Sequence, residues 1–284
     1  YLSPTVIDQI VENPDMLQLG GEKREMTPFF SDIQGFSTIS EGLTPEELVQ
    51  LLNEYLTAMC DIVSSYHGTI DKFEGDAIIA FWGAPLELPD HATVACHAAI
   101  DMQKRNEEMR KTLREQNRPM LYTRIGMSSG PVVVGNMGSA DRMDYTMMGD
   151  VVNLAARLEG VNKFYQTFTM ISQSTYDLTK DDIDTRQLDV IRVVGKKEPI
   201  SVYEVLERKN QTSSEKSGVV EKYLKALKLY EERNFADASK EFEKVLAIDP
   251  DDGPSKTYVK RCGVFLETPP EKDWDGVYTF TEKG

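Results

Sequence analysis

The sequence predicts an α+β fold: a mixed or antiparallel sheet with flanking helices, followed by a small all-helical tail. Three observations carry this expectation. Short apolar, strand-like runs alternate with long helical runs and with hairpins, which suits an α+β sandwich. The helical runs carry their own start signals, the clearest at Thr44-Pro45-Glu46-Glu47. A polar stretch over residues 209–218 then reads as a linker, and helical spacing alone follows it.

Taken in order, residues 1–19 read as a connecting helix, with Leu2, Val6, Ile7, Ile10 and Val11 on one face and Pro14 as its stop. Residues 20–24 are polar, and the first strand is expected after them. Pro28 belongs near that strand's beginning, ahead of Phe29 and Phe30, because proline cannot donate to a sheet ladder. Thr44 supplies an N-cap, Pro45 the first helical position and Glu47 the return partner of a capping box. Leu48, Leu51, Leu52, Tyr55, Leu56, Met59, Ile62 and Val63 then recur at helical spacing. Residues 69–82 read as a hairpin turning at Glu74-Gly75, and a second long helix starts near Asp90. Residues 124–138 read as a strand and a glycine-rich turn, 145–148 as a strand and 151–165 as a helix. Strands near 168–172, 189–194 and 201–205 close a domain over residues 20–208.

Beyond the linker, residues 219–252 fit one tetratricopeptide unit, with Ala226, Phe235, Ala238, Phe242, Leu246 and Pro250 at its spacing. A single unit cannot bury its own face. The tail, residues 219–284, is therefore expected to dock on the main domain, on a second copy, or on a further helix over residues 254–266.

Composition narrows the function. With 284 residues and 40% apolar content the chain can bury a large core. A net charge of −15 argues against nucleic acid, whose phosphates need a basic face. A nucleotide substrate stays open, since a local metal site reverses the field. Cys60, Cys96 and Cys262 lie singly, without metal-ligand or redox spacing, and suit a reducing, cytoplasmic compartment. His67, His91 and His97 lie outside the motifs and read as structural. No apolar run reaches the roughly 18 residues that span a bilayer. The chain starts at Tyr1 rather than methionine, as a fragment would, so an upstream sensor or membrane anchor is compatible with it.

Two aspartates carry the chemistry. Asp32 sits in Phe29-Phe30-Ser31-Asp32-Ile33-Gln34-Gly35-Phe36, and Asp76 in Lys72-Phe73-Glu74-Gly75-Asp76-Ala77-Ile78. In each, an apolar strand meets an acid at a glycine-marked bend. Either aspartate alone could simply cap its turn. Together they offer the oxygen donors that Mg²⁺ and Mn²⁺ prefer. Backbone N–H groups over residues 33–37 form a candidate anion site, with Gly35 permitting close approach. Lys72 reads either as a surface partner of Asp71 or Glu74 or as part of the site, and the pattern alone favours the former. Asn153 and Arg157, four apart, share one helix face in an apolar setting. Arg157 is there either for a structural pair with Asp150 or Glu159 or to stabilise charge on a phosphoryl group.

These segments, with Tyr145-Thr146-Met147-Met148-Gly149-Asp150 and Asn153-Leu154-Ala155-Ala156-Arg157, resemble class III adenylyl cyclases of the bacterial type over residues 20–207. The resemblance implies a ferredoxin-like cyclase domain that converts ATP to 3′,5′-cyclic AMP and pyrophosphate with two Mg²⁺ or Mn²⁺ ions per site, as the output module of a bacterial signalling protein. By it, Asp32, Asp76 and the Ile33 carbonyl match the metal ligands. The backbone of Ile33, Gly35, Phe36 and Ser37 matches the phosphate loop, and Lys72 with Thr146 matches the pair that reads the adenine edge. Asn153 and Arg157 match the residues that orient the ribose and stabilise the transition state. The family often has a lysine before the glycine of the closing loop; Val194 stands there, and Lys196 is the substitute. A threonine at position 146 resembles the subclass in which bicarbonate stimulation is reported. The resemblance also implies a head-to-tail homodimer, one chain supplying Asp32 and Asp76 and the other Lys72, Thr146, Asn153 and Arg157. A non-catalytic nucleotide-binding module and an adaptor built on the tail are the competing classes. Every matched catalytic position is filled, which argues against the first, and one repeat unit offers little groove for the second.

Overall fold

The computed structural model describes residues 19–139, 141–192 and 198–280, together with Ile7 and Val11. Apart from those two, the expected helix of residues 1–19 lies outside the described residues up to Leu19, and so do Val194 and Lys196. The expected α+β class is what the structure shows. Among the described residues ten strands join in the order β10-β8-β9-β7-β4-β1-β3-β2, with β5 and β6 attached through β1. They are β1 (Gly20–Ile33), β2 (Thr69–Glu74), β3 (Ala77–Trp82), β4 (Thr123–Met127), β5 (Gly130–Gly138), β6 (Met143–Met148), β7 (Thr169–Ser172), β8 (Ile183–Arg192), β9 (Ile200–Arg208) and β10 (Tyr278–Thr279). The helices are α1 (Phe36–Glu41), α2 (Pro45–Ser65), α3 (His91–Glu115), α4 (Asp150–Tyr165), α5 (Gln173–Thr179), α6 (Ser214–Glu231), α7 (Phe235–Leu246) and α8 (Gly253–Glu267).

Side-chain alternation along the strands feeds two helical layers. Ile171 of β7 and Tyr203 of β9 face the core built by α2 and α3, where Leu51, Tyr55, Met59 and Val63 repeat every four residues. Their neighbours Met170 and Val202 face the opposite core, under α4 and the tail helices. The capping box at the start of α2 is formed: the Glu47 N–H donates to Thr44 Oγ1 at 3.3 Å, and the Thr44 N–H donates to Glu47 Oε2 at 2.9 Å.

Strand β1 departs from expectation at its start and at Pro28. It begins at Gly20, not after residue 24, because its polar first half pairs with β5 from Gly20↔Asn136 to Met26↔Gly130, leaving exposed residues facing water. Pro28 lies in mid-strand. Its carbonyl accepts the Ser128 N–H at 3.4 Å, so its ring nitrogen faces the same edge. There β1 changes partner, from β5 up to Met26 to β4 from Phe29 onward, and no ladder donor is needed. Residues 124–138, expected as one strand and a glycine-rich turn, form two strands, the second of which, Gly130–Gly138, lies between β1 and β6. A Cβ on Gly135 would meet the Gly20 carbonyl oxygen at 2.2 Å, so the glycine is there for close strand approach.

The tail docks on the main domain. Helix α6 starts inside the stretch expected to be linker, because the Ser213 hydroxyl caps the Lys216 N–H at 3.2 Å. Tyr223, Tyr230, Phe242 and Tyr258 of the tail share one core with Leu158, Tyr165, Leu188, Ile191 and Val202. The Tyr223 and Tyr258 hydroxyls both donate to the Leu188 carbonyl, at 2.9 and 3.0 Å. Arg186, buried on β8, pairs with Glu204 and with Asp252 at the head of α8, each at 2.6 Å. Arg261 of α8 pairs with Asp189, which also accepts the Tyr165 hydroxyl at 2.5 Å. The tail thus grips the C-terminal end of α4, where the Thr257 hydroxyl donates to the Phe164 carbonyl at 2.8 Å. Among the described residues no helix is long and apolar enough to cross a membrane.

Candidate active site

Two clusters form, one at the end of β1 and one where the β5–β6 arm meets β2. At the first, Asp32 lies opposite Arg124 in the β1–β4 register. Arg124 Nη2 stands 2.9 Å from Asp32 Oδ2, and its Nε stands 3.0 Å from Glu159 Oε1 on α4. Asp76 arrives from the β2–β3 turn, where Gly75 takes the left-handed φ of 65° that a side chain would strain. Its Oδ2 accepts the Ile33 N–H at 2.9 Å. Burial, and after it the neighbouring Asp32 charge, push the Asp76 carboxyl up to about 6 against the pull of that N–H. Burial likewise raises the Glu159 carboxyl to about 7, despite the Arg124 guanidinium beside it.

A carboxylate crowded by another and raised in this way fits a hard divalent cation, which would relieve the repulsion. Among the described residues no group of three or more His, Cys, Asp or Glu stands ready as a metal site. Asp32 and Asp76, with the Ile33 carbonyl next to Asp32 in sequence, are the oxygen donors that could hold such a cation at this end of β1. The neighbouring turn is narrower than expected as an anion loop. The Ile33 N–H is committed to Asp76, and the Gln34 N–H donates to the Tyr122 carbonyl at 2.7 Å. Gly35, at φ 69°, is the N-cap of α1, whose start no side chain caps, so donors for an anion begin beyond Gln34, at Gly35, Phe36 and Ser37.

The second cluster joins Lys72 and Thr146 through Asp71. The Thr146 hydroxyl donates to Asp71 Oδ2 at 2.6 Å, and Lys72 Nζ stands 3.4 Å from Asp71 Oδ1. Lys72 thus has the acidic partner that its pattern favoured, yet it is 39% exposed while Asp71 is 3% exposed. Packing of Tyr145 and Met147 over Ile79 and Phe81 holds the arm against the sheet.

Asn153 and Arg157 belong to neither cluster of their own chain. Helix α4 presses on β4 at Gly126, where a Cβ would meet the Glu159 nitrogen at 2.1 Å. Its buried face carries Ala155, Leu158 and Asn162, with Glu159 turned to Arg124. At about 100° per residue Arg157 stands about 160° from Glu159, on the far side of the helix. Asn153 is exposed and Arg157 half-buried. Among the described residues the Glu159 carboxylate is paired with Arg124, not with Arg157. The arrangement of one chain therefore holds the acids in one place and directs Arg157 elsewhere.

Comparison with known proteins assigns the fold to a family. Residues 21–207 match the adenylate and guanylate cyclase catalytic domain. This chain belongs to that family. The cyclase domain is 39% identical over 184 residues to "Adenylate cyclase 1" of Rhizobium meliloti, covering 65% of this chain and 28% of that protein. The chain thus spans little more than a quarter of that relative's length. Among solved structures it is similar to the adenylyl cyclase CyaB from P. aeruginosa, with a TM-score of 0.63 and 38% identity over 69% of this chain and all of that one. A solved guanylyl cyclase is also similar, with a TM-score of 0.61 and 34% identity over 68% of this chain and 97% of that one.

Sequence reasoning on the cyclase domain missed Arg124, and it named Glu159 and Asp71 only as ion-pair partners of Arg157 and Lys72. A signal existed for each: an arginine inside the buried strand Thr123–Met127, a glutamate on an apolar helix, and an acid beside Lys72.

Proposed function

We propose that this chain is the catalytic part of an adenylyl cyclase, converting ATP to 3′,5′-cyclic AMP and pyrophosphate in a homodimer. The observation that carries the reading is the approach of Asp76 to Asp32 around the Ile33 N–H, 2.9 Å from Asp76 Oδ2. Two acids crowded at a strand end suit the polyphosphate only with divalent cations between them. Mg²⁺ or Mn²⁺ at Asp32, Asp76 and the Ile33 carbonyl would supply Lewis acidity and neutralise phosphate charge. In the reaction a bond forms from the ribose 3′-oxygen to the α-phosphorus, the bond from that phosphorus to pyrophosphate breaks, and the 3′-hydroxyl proton leaves. Phe36 and Ser37 offer N–H groups to the phosphates. Lys72 and Thr146 meet the base, and Asn153 and Arg157 orient the ribose and stabilise charge on the phosphoryl oxygens.

The outward direction of Arg157 supports a site shared between two chains, each supplying the acids to one site and the base and ribose contacts to the other. Lys196 we assign to the terminal phosphates by its place in the sequence alone. The helix pair α6–α7 we read as a tetratricopeptide-like unit whose exposed face has become a docking face for the cyclase domain.

The test is product formation from ATP and, separately, from GTP, with Mg²⁺ and then Mn²⁺, over a range of protein concentrations. Cyclic AMP with specific activity rising with protein concentration is the expected result. ATP binding without any cyclic product would turn the reading toward a regulatory nucleotide-binding module.

A further inference from the structure

The contact between Asp71 and Thr146 bears on which base the site accepts. A threonine hydroxyl is ambivalent: it can donate one hydrogen bond and accept others, so alone it suits an amino or an oxo group equally. A lysine ammonium can only donate. In an adenine ring N1 accepts and the 6-amino group donates; in a 6-oxopurine N1 donates and the oxygen accepts. Opposite N1, Lys72 discriminates by itself, whereas Thr146, opposite position 6, discriminates only if its proton is held elsewhere.

Asp71 holds it. The Thr146 hydroxyl donates to Asp71 Oδ2 at 2.6 Å, and the acid side chain is 3% exposed, so water does not compete for that proton. The position of Asp71 is itself a departure from regular structure. The β2–β3 ladder pairs Ile70 with Ala80 and Lys72 with Ile79, leaving Asp71 as the extra residue of a bulge. On a regular strand Asp71 and Lys72 would point to opposite faces. The bulge re-aims the pair so that Asp71 Oδ1 lies 3.4 Å from Lys72 Nζ while Oδ2 reaches β6. Oδ1 is buried without a well-aligned hydrogen bond, so the carboxylate is not placed there for its own satisfaction.

We propose that Asp71 is a positioning residue for base selection: by taking the Thr146 proton it makes that hydroxyl an obligate acceptor and biases the site against 6-oxopurine nucleoside triphosphates. This rests on the reading above that Lys72 and Thr146 meet the base.

The experiment compares ATP with inosine triphosphate, which differs at N1 and position 6, in the full chain and in Asp71→Val, Thr146→Val and the double variant. The readout is the ratio of kcat/KM for the two nucleotides, or of their dissociation constants if turnover is absent. Loss of the acceptor should lower the ATP preference of Asp71→Val on the order of tenfold, and Thr146→Val should lower it similarly. The double variant should match Thr146→Val alone, because Asp71 acts through that hydroxyl. An unchanged ratio in Asp71→Val, with Thr146→Val shifted, overturns the proposal and leaves the base-reading pair intact. A further drop in the double variant overturns it as well. An unchanged ratio in Thr146→Val overturns the base-reading assignment itself, and the proposal with it. If Asp71→Val does not fold, Asp71→Leu carries the same test: it too has no acceptor for the Thr146 proton, and a folded variant that keeps the ratio rejects the proposal.

Discussion

Arg186 on β8 and Asp252 at the head of α8 stand 2.6 Å apart, with side chains 1% and 0% exposed, and they tie the tail to the sheet. Charges this deeply buried are costly unless both partners are present. Asp252→Ala should lower unfolding free energy by roughly 3 kcal/mol, read from the urea midpoint, because it leaves the buried Arg186 with Glu204 alone and uncaps α8. Replacing both by apolar residues of similar size should cost less than either single change.

Acid should act on the same pair. Burial alone would raise the Asp252 carboxyl, but Arg186, the Ser255 N–H and Lys216 outweigh it and hold the group below the usual carboxylate range. A group depressed in the folded state stabilises above its unfolded value of about 4, and that stability is lost as pH falls through the folded value. The urea midpoint should therefore drop as pH is taken from about 4 downward, and should drop less steeply in Asp252→Asn.

Gly126→Ala addresses the seat of α4. The new methyl would meet the Glu159 nitrogen at 2.1 Å and the Ala155 carbonyl oxygen at 2.3 Å, so the helix must lift. We expect a loss of roughly 1–3 kcal/mol in stability. Activity should fall further than the unfolded fraction explains, since the same helix carries Asn153 and Arg157. Thermal melts beside specific activity separate the two effects.

Mixing variants tests the shared site. Asp32→Ala and Arg157→Ala should each be inactive alone and should recover part of the activity on mixing, since one site of the heterodimer escapes both changes. Heterodimers that form yet stay inactive would rule out sharing.

Metal dependence should carry a pH signature. With the Asp76 carboxyl at about 6 before a cation binds, protons compete with the metal below that value. Chelation should abolish turnover, and the Mn²⁺ concentration for half-maximal binding should rise as pH falls from about 7.5 to 5.5. Asp76→Asn should weaken binding and flatten this dependence.

How much of this was legible in the sequence followed the range of the interaction. Thr44 and Glu47 lie three apart, so their capping box declared itself in four residues. The hairpin around Gly75 did likewise. Pro28 did not, because a proline is tolerable only where β1 exchanges β5 for β4, and that exchange depends on residues a hundred positions away. Arg124 escaped for the same reason: it meets Asp32 through strand register and Glu159 through helix docking, and neither is a matter of spacing. Asp71 looked like a surface partner for Lys72, because a one-residue bulge leaves no periodic trace.

The core shared by α6–α8 and β8 decides where this protein can be cut. A truncation after Arg208, just past the end of the family match at residue 207, would keep every candidate catalytic side chain but unroof Tyr165, Leu188 and Ile191 and leave Arg186 without Asp252. The exposed seam would be sticky as well as loose. The smallest piece that should stay in solution runs on to Phe280, well beyond the catalytic fold itself.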